Sequence, residues 1–246
     1  MVLLDQRPVE QNRLAAFTSA TRIYTLLTAI KGESIITFSE LPESVRSPEF
    51  LSTLEESELF QKLDEQRLQI STAAKAQLAI RAIELGQSQR PVLSTLSWRE
   101  FEEFIATIFS RHGFIVTHGF RFKAGRRYEI DVIAAHKPTI FCVDCKQYGV
   151  RTGKASPLRT AVEDQLQRVE ALAANFAAQQ AKLGCLGWQR VKFYPLLVTM
   201  LHEDLMWHNR IPLVPAAQLN RFMLSFSEYS DRLHCIEPTS ARQQTL

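Results

Sequence analysis

Two apolar runs separated by three residues constrain this chain more than any other feature. Arg127 to Ala135 reads Arg-Tyr-Glu-Ile-Asp-Val-Ile-Ala-Ala, and Thr139 to Gln147 reads Thr-Ile-Phe-Cys-Val-Asp-Cys-Lys-Gln. Both are strand-like, and His136-Lys137-Pro138 joins them tightly, so they are expected to be adjacent strands. Side chains alternate along a strand. Glu129 and Asp131 should therefore share one face while Ile130 and Val132 bury the other. Asp144 and Lys146 should share a face of the second strand, opposite Phe141, Val143 and Cys145. Acids in apolar strands are costly unless paired or bound to a metal.

The surrounding pattern is α/β. Ser97-Trp-Arg-Glu100 reads as a capping box that starts a helix running to about His112, with Gly113 just past its end. Trp98, Phe101, Ile105, Ile108 and His112 lie along one face. Glu103 points away from that face, and Glu102 sits at its buried edge, about 80° from its centre. A strand is expected over Phe114 to Gly119. Ser156, with Pro157 at the first helical position, is expected to cap a helix running to about Lys182. Gln165 falls in the middle of its apolar stripe of Leu158, Val162, Val169, Leu172 and Phe176. A glutamine on a buried face needs partners. It is either a satisfied core amide or a group near a metal-bound water or a phosphate. Arg168, at the stripe's edge, reads as a solvated helix arginine able to reach phosphate. A buried strand over Val191 to Met200, a short one over Ile211 to Val214 and a helix over Ala216 to Leu224 complete the pattern, with Trp207 and His208 packing between them.

Two carboxylates from adjacent strands can converge on a hard divalent cation such as Mg²⁺. A lysine two residues beyond one of them lies beside the same ion, where it can orient a water and offset developing phosphate charge. An acid on a helix, then Asp131 on a strand, then Asp144-Cys-Lys146 on the next, resembles the PD-(D/E)xK nuclease superfamily. The stretches Phe101-Glu-Glu-Phe-Ile-Ala, Glu129-Ile-Asp-Val-Ile-Ala and Val143-Asp-Cys-Lys-Gln-Tyr resemble its Mrr-type restriction endonuclease branch, and are also similar to archaeal Holliday-junction resolvases. The resemblance covers about Trp98 to Phe222. It implies a restriction-endonuclease-like mixed sheet flanked by helices. It also implies a metal, Mg²⁺ with Mn²⁺ able to substitute, held by Asp131, Asp144 and the Cys145 backbone carbonyl. Lys146 would position the attacking water, and Glu102 would bind metal-bound water or a second metal. Gln165 would join them near the metal water. Arg126, Arg127 and Tyr128 stand where the family often has glycines before the strand aspartate.

Charge distribution favours a polyanion as the partner, and the resemblance implies that it is DNA. Residues 1–90 carry ten Lys and Arg against twelve Asp and Glu, whereas residues 91–246 carry nineteen against fourteen. Two acid-free stretches flank the acidic pair. One holds Arg121, Lys123, Arg126 and Arg127, and the other holds Arg151 and Lys154, all expected to bind DNA.

Domains are expected over 1–90 and 91–246, divided by the polar run Gly86 to Pro91. The first part orders as helix, strand, two helices, hairpin and helix, which resembles a small, mainly helical winged helix-turn-helix module. Its third helix carries Glu49, Glu55, Glu56 and Glu58 and no Lys or Arg, which argues for packing, dimerisation or protein contact rather than groove reading. Four scattered cysteines and no signal-peptide pattern fit a cytoplasmic protein, and no apolar run is long enough to span a membrane. Cys142-Val-Asp-Cys145 sits inside a strand, with its sulfurs on opposite faces and no second ligand pair, which disfavours a zinc or redox motif. The expected activity is metal-dependent hydrolysis of DNA phosphodiester bonds, of restriction or repair and recombination type, with a homodimer suited to cutting two strands. The competing expectation is a non-catalytic DNA-binding or regulatory protein on a nuclease fold.

Overall fold

The computed structural model describes residues 17–147 and 155–238. The chain divides into two compact units, Met1–Thr107 and Ile108–Leu246.

In the first unit, helix α1 (Ala20–Ala29) is capped by Ser19, whose side chain accepts from the Arg22 amide. Strand β1 (Ile35–Thr37) leads through two 3-10 turns, Phe38–Glu40 and Glu43–Val45, to α2 (Pro48–Glu56). The two turns stand where one brief helix was expected. Ser47 caps α2 as its sequence predicts, accepting from the Phe50 amide ahead of Pro48. Strands β2 (Phe60–Lys62) and β3 (Arg67–Ile70) form the expected hairpin, and the small antiparallel sheet runs β1-β3-β2. Ser71 caps α3 (Thr72–Glu84), and α4 (Gln89–Leu93) follows. Ile23, Leu26, Leu54, Leu68 and Leu78 are fully buried in this unit.

Helix α5 (Trp98–Arg111) opens with the reciprocal capping box. The Ser97 amide donates to Glu100 Oε2 at 2.7 Å, and the Glu100 amide to Ser97 Oγ at 3.4 Å. Glu100 is also ion-paired. Its Oε1 lies 2.8 Å from Lys75 Nζ, and both side chains are buried. Lys75 further donates to the carbonyls of Ile30, at 3.1 Å, and Glu33. One buried ammonium thus ties the end of α1 and the start of α5 to α3.

The second unit is built on a six-stranded mixed sheet, in the order β4-β5-β6-β7-β9-β8. Its strands are β4 (Ile115–Ala124), β5 (Arg126–His136), β6 (Thr139–Lys146), β7 (Lys192–Thr199), β8 (Trp207–His208) and β9 (Ile211–Pro215). The first three form an antiparallel meander, β7 and β9 add in parallel to β6, and β8 closes the edge antiparallel to β9. Trp207 is half exposed on that edge strand. The long crossover helix α6 (Ala155–Ala174) connects β6 to β7, as a parallel pair requires.

Helix α6 begins one residue before Ser156 and stops at Ala174, short of the expected Lys182. There the Asn175 amide group turns back to the Ala171 carbonyl, and a separate helix α7 (Phe176–Gln179) follows. Cys142, Val169, Leu172, Phe176 and Phe193 form one core cluster of this unit with Phe120, Phe122 and Ile130. Phe141 gathers Phe109, Phe114, Tyr194, Phe222 and Phe226. Phe222 lies on α8 (Ala216–Leu224) and Phe226 on the short α9 (Phe226–Tyr229). Because successive residues of a strand face opposite ways, Cys142 and Asp144 belong to the α6 side and Phe141 to the other.

Candidate active site

The site forms where β5 parts from β6. Their antiparallel register runs from His136↔Thr139 to Val132↔Val143 and stops there. Asp131 and Asp144 occupy the next positions along the two strands. The Asp131 side chain takes over from the backbone ladder, with Oδ2 accepting from the Cys145 amide at 2.8 Å. Strand β6 meanwhile stays paired to β7 as far as Lys146↔Thr199, so its carboxyl end is held on one side only. On the other side of β5 the register with β4 skips Gly119 and Asp131. Gly119 has φ +51, a left-handed conformation that glycine adopts freely. Ile130 and Ile133, three residues apart, both enter the α6-side core cluster, so strict alternation is interrupted at Asp131. Such local irregularities re-aim side chains, and they recur beside active sites. The expected grouping of Glu129 with Asp131 is accordingly not what forms. Glu129 pairs outward with Arg121 through two bonds, at 3.0 and 3.1 Å.

Asp144 is the most buried acid of the second unit, at 3 % exposure. Lys146 Nζ lies 2.7 Å from its Oδ2, and Arg168 Nη1 lies 3.0 Å from its Oδ1. The ammonium meets Oδ2 as a charge but off the direction of a hydrogen bond, and among the described residues that oxygen has no hydrogen-bond donor. A buried carboxylate oxygen with an unused lone pair is costly, and it is also a ready ligand for a hard cation. Asp131 has its pKa pushed up, first by burial and then by repulsion from Asp144. The Cys145 amide, Lys146 and Arg168 pull the other way without overcoming these. An acid whose charge is disfavoured by burial and by a neighbouring carboxylate gains from a divalent cation beside it.

Gln165 is fully buried on α6, and both ends of its amide are in use. Nε2 donates to the Cys142 carbonyl at 2.8 Å, and Oε1 accepts from Arg168 Nη1 at 3.3 Å. It thus braces Arg168, which helical periodicity alone presents as a solvated arginine. The signal was its position three residues after Gln165, one turn along the same helix edge. Glu102 belongs to the first unit and is half-buried on α5. Cys142 is buried, which drives its thiol far above the ordinary range, and all four cysteines are free. Among the described residues no group of three or more His, Cys, Asp and Glu side chains gathers as a metal cluster. A cation at the Asp131–Asp144 pair would therefore keep water ligands, as Mg²⁺ commonly does.

The basic positions split. Arg121, Lys123, Arg126 and Arg127 lie exposed on the β4–β5 hairpin. Lys123 stands directly opposite Arg127. Arg126 is held over the Tyr128 ring, 4.8 Å from its centroid, and donates to Gln167 at 3.0 Å. Arg151 and Lys154 lie outside the described residues.

A family model described as restriction endonuclease matches residues 93–186 of the chain. An uncharacterized protein of Archaeoglobus fulgidus is 30 % identical over 135 residues, which span 54 % of this chain and 95 % of that protein. Among solved structures, protein VC1899 from Vibrio cholerae aligns over 92 % of this chain and 55 % of its own, at 14 % identity and a TM-score of 0.35. Can2 from Sulfobacillus thermosulfidooxidans, solved with cyclic tetra-adenylate, aligns over 89 % and 55 %, at 12 % identity and a TM-score of 0.34. The chain spans about half the length of these two.

Proposed function

Because the chain belongs to the restriction endonuclease family through residues 93–186, we propose that its second unit hydrolyses DNA phosphodiester bonds with the aid of a divalent cation. One observation carries this reading: Asp131 and Asp144 meet at the parted ends of β5 and β6, and the buried Asp144 Oδ2 beside Lys146 has no hydrogen-bond donor among the described residues. Asp131, Asp144 and the Cys145 carbonyl are the groups that would hold Mg²⁺ or Mn²⁺. When bound, such an ion supplies Lewis-acid polarisation and an acidified water. Lys146 orients that water and offsets negative charge as it develops on the phosphate. Asp144, itself held by Arg168, keeps the Lys146 side chain in place. Gln165 is to be assayed beside them, and Glu102 separately as the helix acid that the resemblance implies. The exposed hairpin carrying Lys123, Arg126 and Arg127 would contact DNA phosphates.

The test is cleavage of supercoiled plasmid, linear duplex, four-way junction and single-stranded DNA in Mg²⁺, Mn²⁺ or EDTA. Cleavage that requires metal supports the reading, and the preferred substrate separates a restriction role from a junction-resolving one. A second reading, a non-catalytic DNA-binding protein, draws on one feature. Asp144 already has two cationic partners, an arrangement a purely structural ion-pair cluster would also show. DNA binding without cleavage of any substrate would favour it.

A further inference from the structure

Among the described residues, Arg168 is the charged member of the cluster that comes from outside the two acid-bearing strands. Its guanidinium bonds Asp144 Oδ1 at 3.0 Å and Gln165 Oε1 at 3.3 Å through the same nitrogen, Nη1. Gln165 is locked in turn by its bond to the Cys142 carbonyl. The arginine side chain is 28 % exposed and the Asp144 side chain 5 %. One nitrogen is therefore anchored inward, while the side chain as a whole keeps more than a quarter of its surface exposed.

We propose that Arg168 is a resident counter-cation that exchanges partners. It neutralises Asp144 in the metal-free site and moves to a phosphate of the bound DNA when a divalent cation takes Asp144. This rests on the proposed nuclease reading of the same site. Arginine cannot leave by losing its proton, because its guanidinium stays charged at any physiological pH. A divalent ion on Asp144 would place two positive centres on one carboxylate, with Lys146 as a third. The guanidinium must then find another anion. The planar fork suits a phosphate oxygen pair, and the neutral Gln165 oxygen can retain Nη1 as a pivot. A purely structural arginine would instead stay on Asp144 and support its fold.

The two roles predict opposite signs for metal affinity. The probe is Mn²⁺ alone, followed by calorimetry on the full chain, with wild type, Arg168→Gln, Arg168→Lys and Asp144→Asn compared. Removing a competing cation from Asp144 should tighten Mn²⁺ binding in Arg168→Gln by about fivefold or more. Arg168→Lys should stay near wild type. In a second measurement, duplex DNA affinity is read against salt in Ca²⁺. Arg168→Gln should reduce the slope by about one, the loss of a single phosphate contact. Unchanged or weaker Mn²⁺ binding in Arg168→Gln, or an unchanged salt slope, overturns the exchange. If wild type and Asp144→Asn bind Mn²⁺ alike, the metal site itself is refuted and the exchange with it. If Asp144→Asn loses Mn²⁺ while Arg168→Gln fails to gain, only the exchange is refuted.

Discussion

The Cys145 amide donates to Asp131 Oδ2 at 2.8 Å, across the point where β5 and β6 stop pairing through their backbones. One acid thus caps the end of a ladder and at the same time faces its neighbour Asp144. Such a residue serves structure and chemistry with opposed demands. The amide and the nearby cations favour its charge, and burial and Asp144 disfavour it.

Burial and Asp144 prevail, because the Asp131 pKa is raised. An acid with a raised folded-state pKa favours the fold below its unfolded value, near about 3.9, and that contribution is lost as pH rises through the folded value. At neutral pH in EDTA, Asp131→Asn should therefore melt higher than wild type by a few degrees, roughly the effect of 1 kcal/mol on a chain of this size. The gap should close toward about pH 3, where both chains carry a neutral side chain. Adding Mg²⁺ should raise the melting temperature of wild type only. Thermal melts at three pH values check this, and an asparagine variant less stable than wild type in EDTA would contradict it.

Lys146 should matter for rate more than for metal. Its ammonium meets Asp144 Oδ2 as a charge without donating a hydrogen bond to it. Lys146→Met should lower single-turnover cleavage by about 10²-fold or more while Mn²⁺ affinity is kept or tightened, because a cation beside Asp144 is removed. A loss of metal binding equal to that of Asp144→Asn would place Lys146 in the structure of the site instead.

The hairpin should show stability and binding moving in opposite directions. Lys123 and Arg127 are exposed and directly opposed across β4 and β5. Like charges in that position destabilise a sheet by a few tenths of a kcal/mol, up to about 1. Arg127→Thr should relieve this slightly, yet weaken DNA binding and lower its salt slope by about one. Equal DNA affinity at all salt concentrations would take the hairpin off the DNA surface.

The buried Lys75–Glu100 pair gives the first unit its own pH dependence. Burial opposes charge on Glu100, but Lys75 and the Ser97 amide outweigh it and hold the pKa below the glutamate range. Its contribution is present above the unfolded value, about 4.3, and is lost as pH falls through the folded value. Urea midpoints should therefore drop more steeply for wild type than for Glu100→Gln between about pH 5 and pH 3. Lys75→Met, which strands a buried carboxylate, should cost about 3 kcal/mol at neutral pH.

Much of this was legible from local rules. Ser47 and the Ser97–Glu100 box announce their helices because capping depends on residues within one turn. The β5–β6 hairpin follows from two apolar runs and a three-residue link. Ile130 and Val132 are both buried, but period-two alternation, which puts them on one face, breaks at Asp131, with Glu129 turned to Arg121 and Asp131 to the Cys145 amide. The sequence pattern ends a strand at Gly119, yet β4 continues to Ala124 because a left-handed glycine interrupts the ladder without ending it. Arg168 escaped for a different reason. Its partner Asp144 is 24 residues away, and helical periodicity assigns a residue to a face without saying what that face meets.

The central claim is that Asp131 and Asp144 together support metal-dependent DNA hydrolysis. Single-turnover cleavage of supercoiled plasmid in Mg²⁺, run side by side for wild type, Asp131→Asn and Asp144→Asn, tests it most directly. The account predicts cleavage by wild type, none in EDTA, and loss in both variants with DNA binding retained. Cleavage by either variant at the wild-type rate would contradict it.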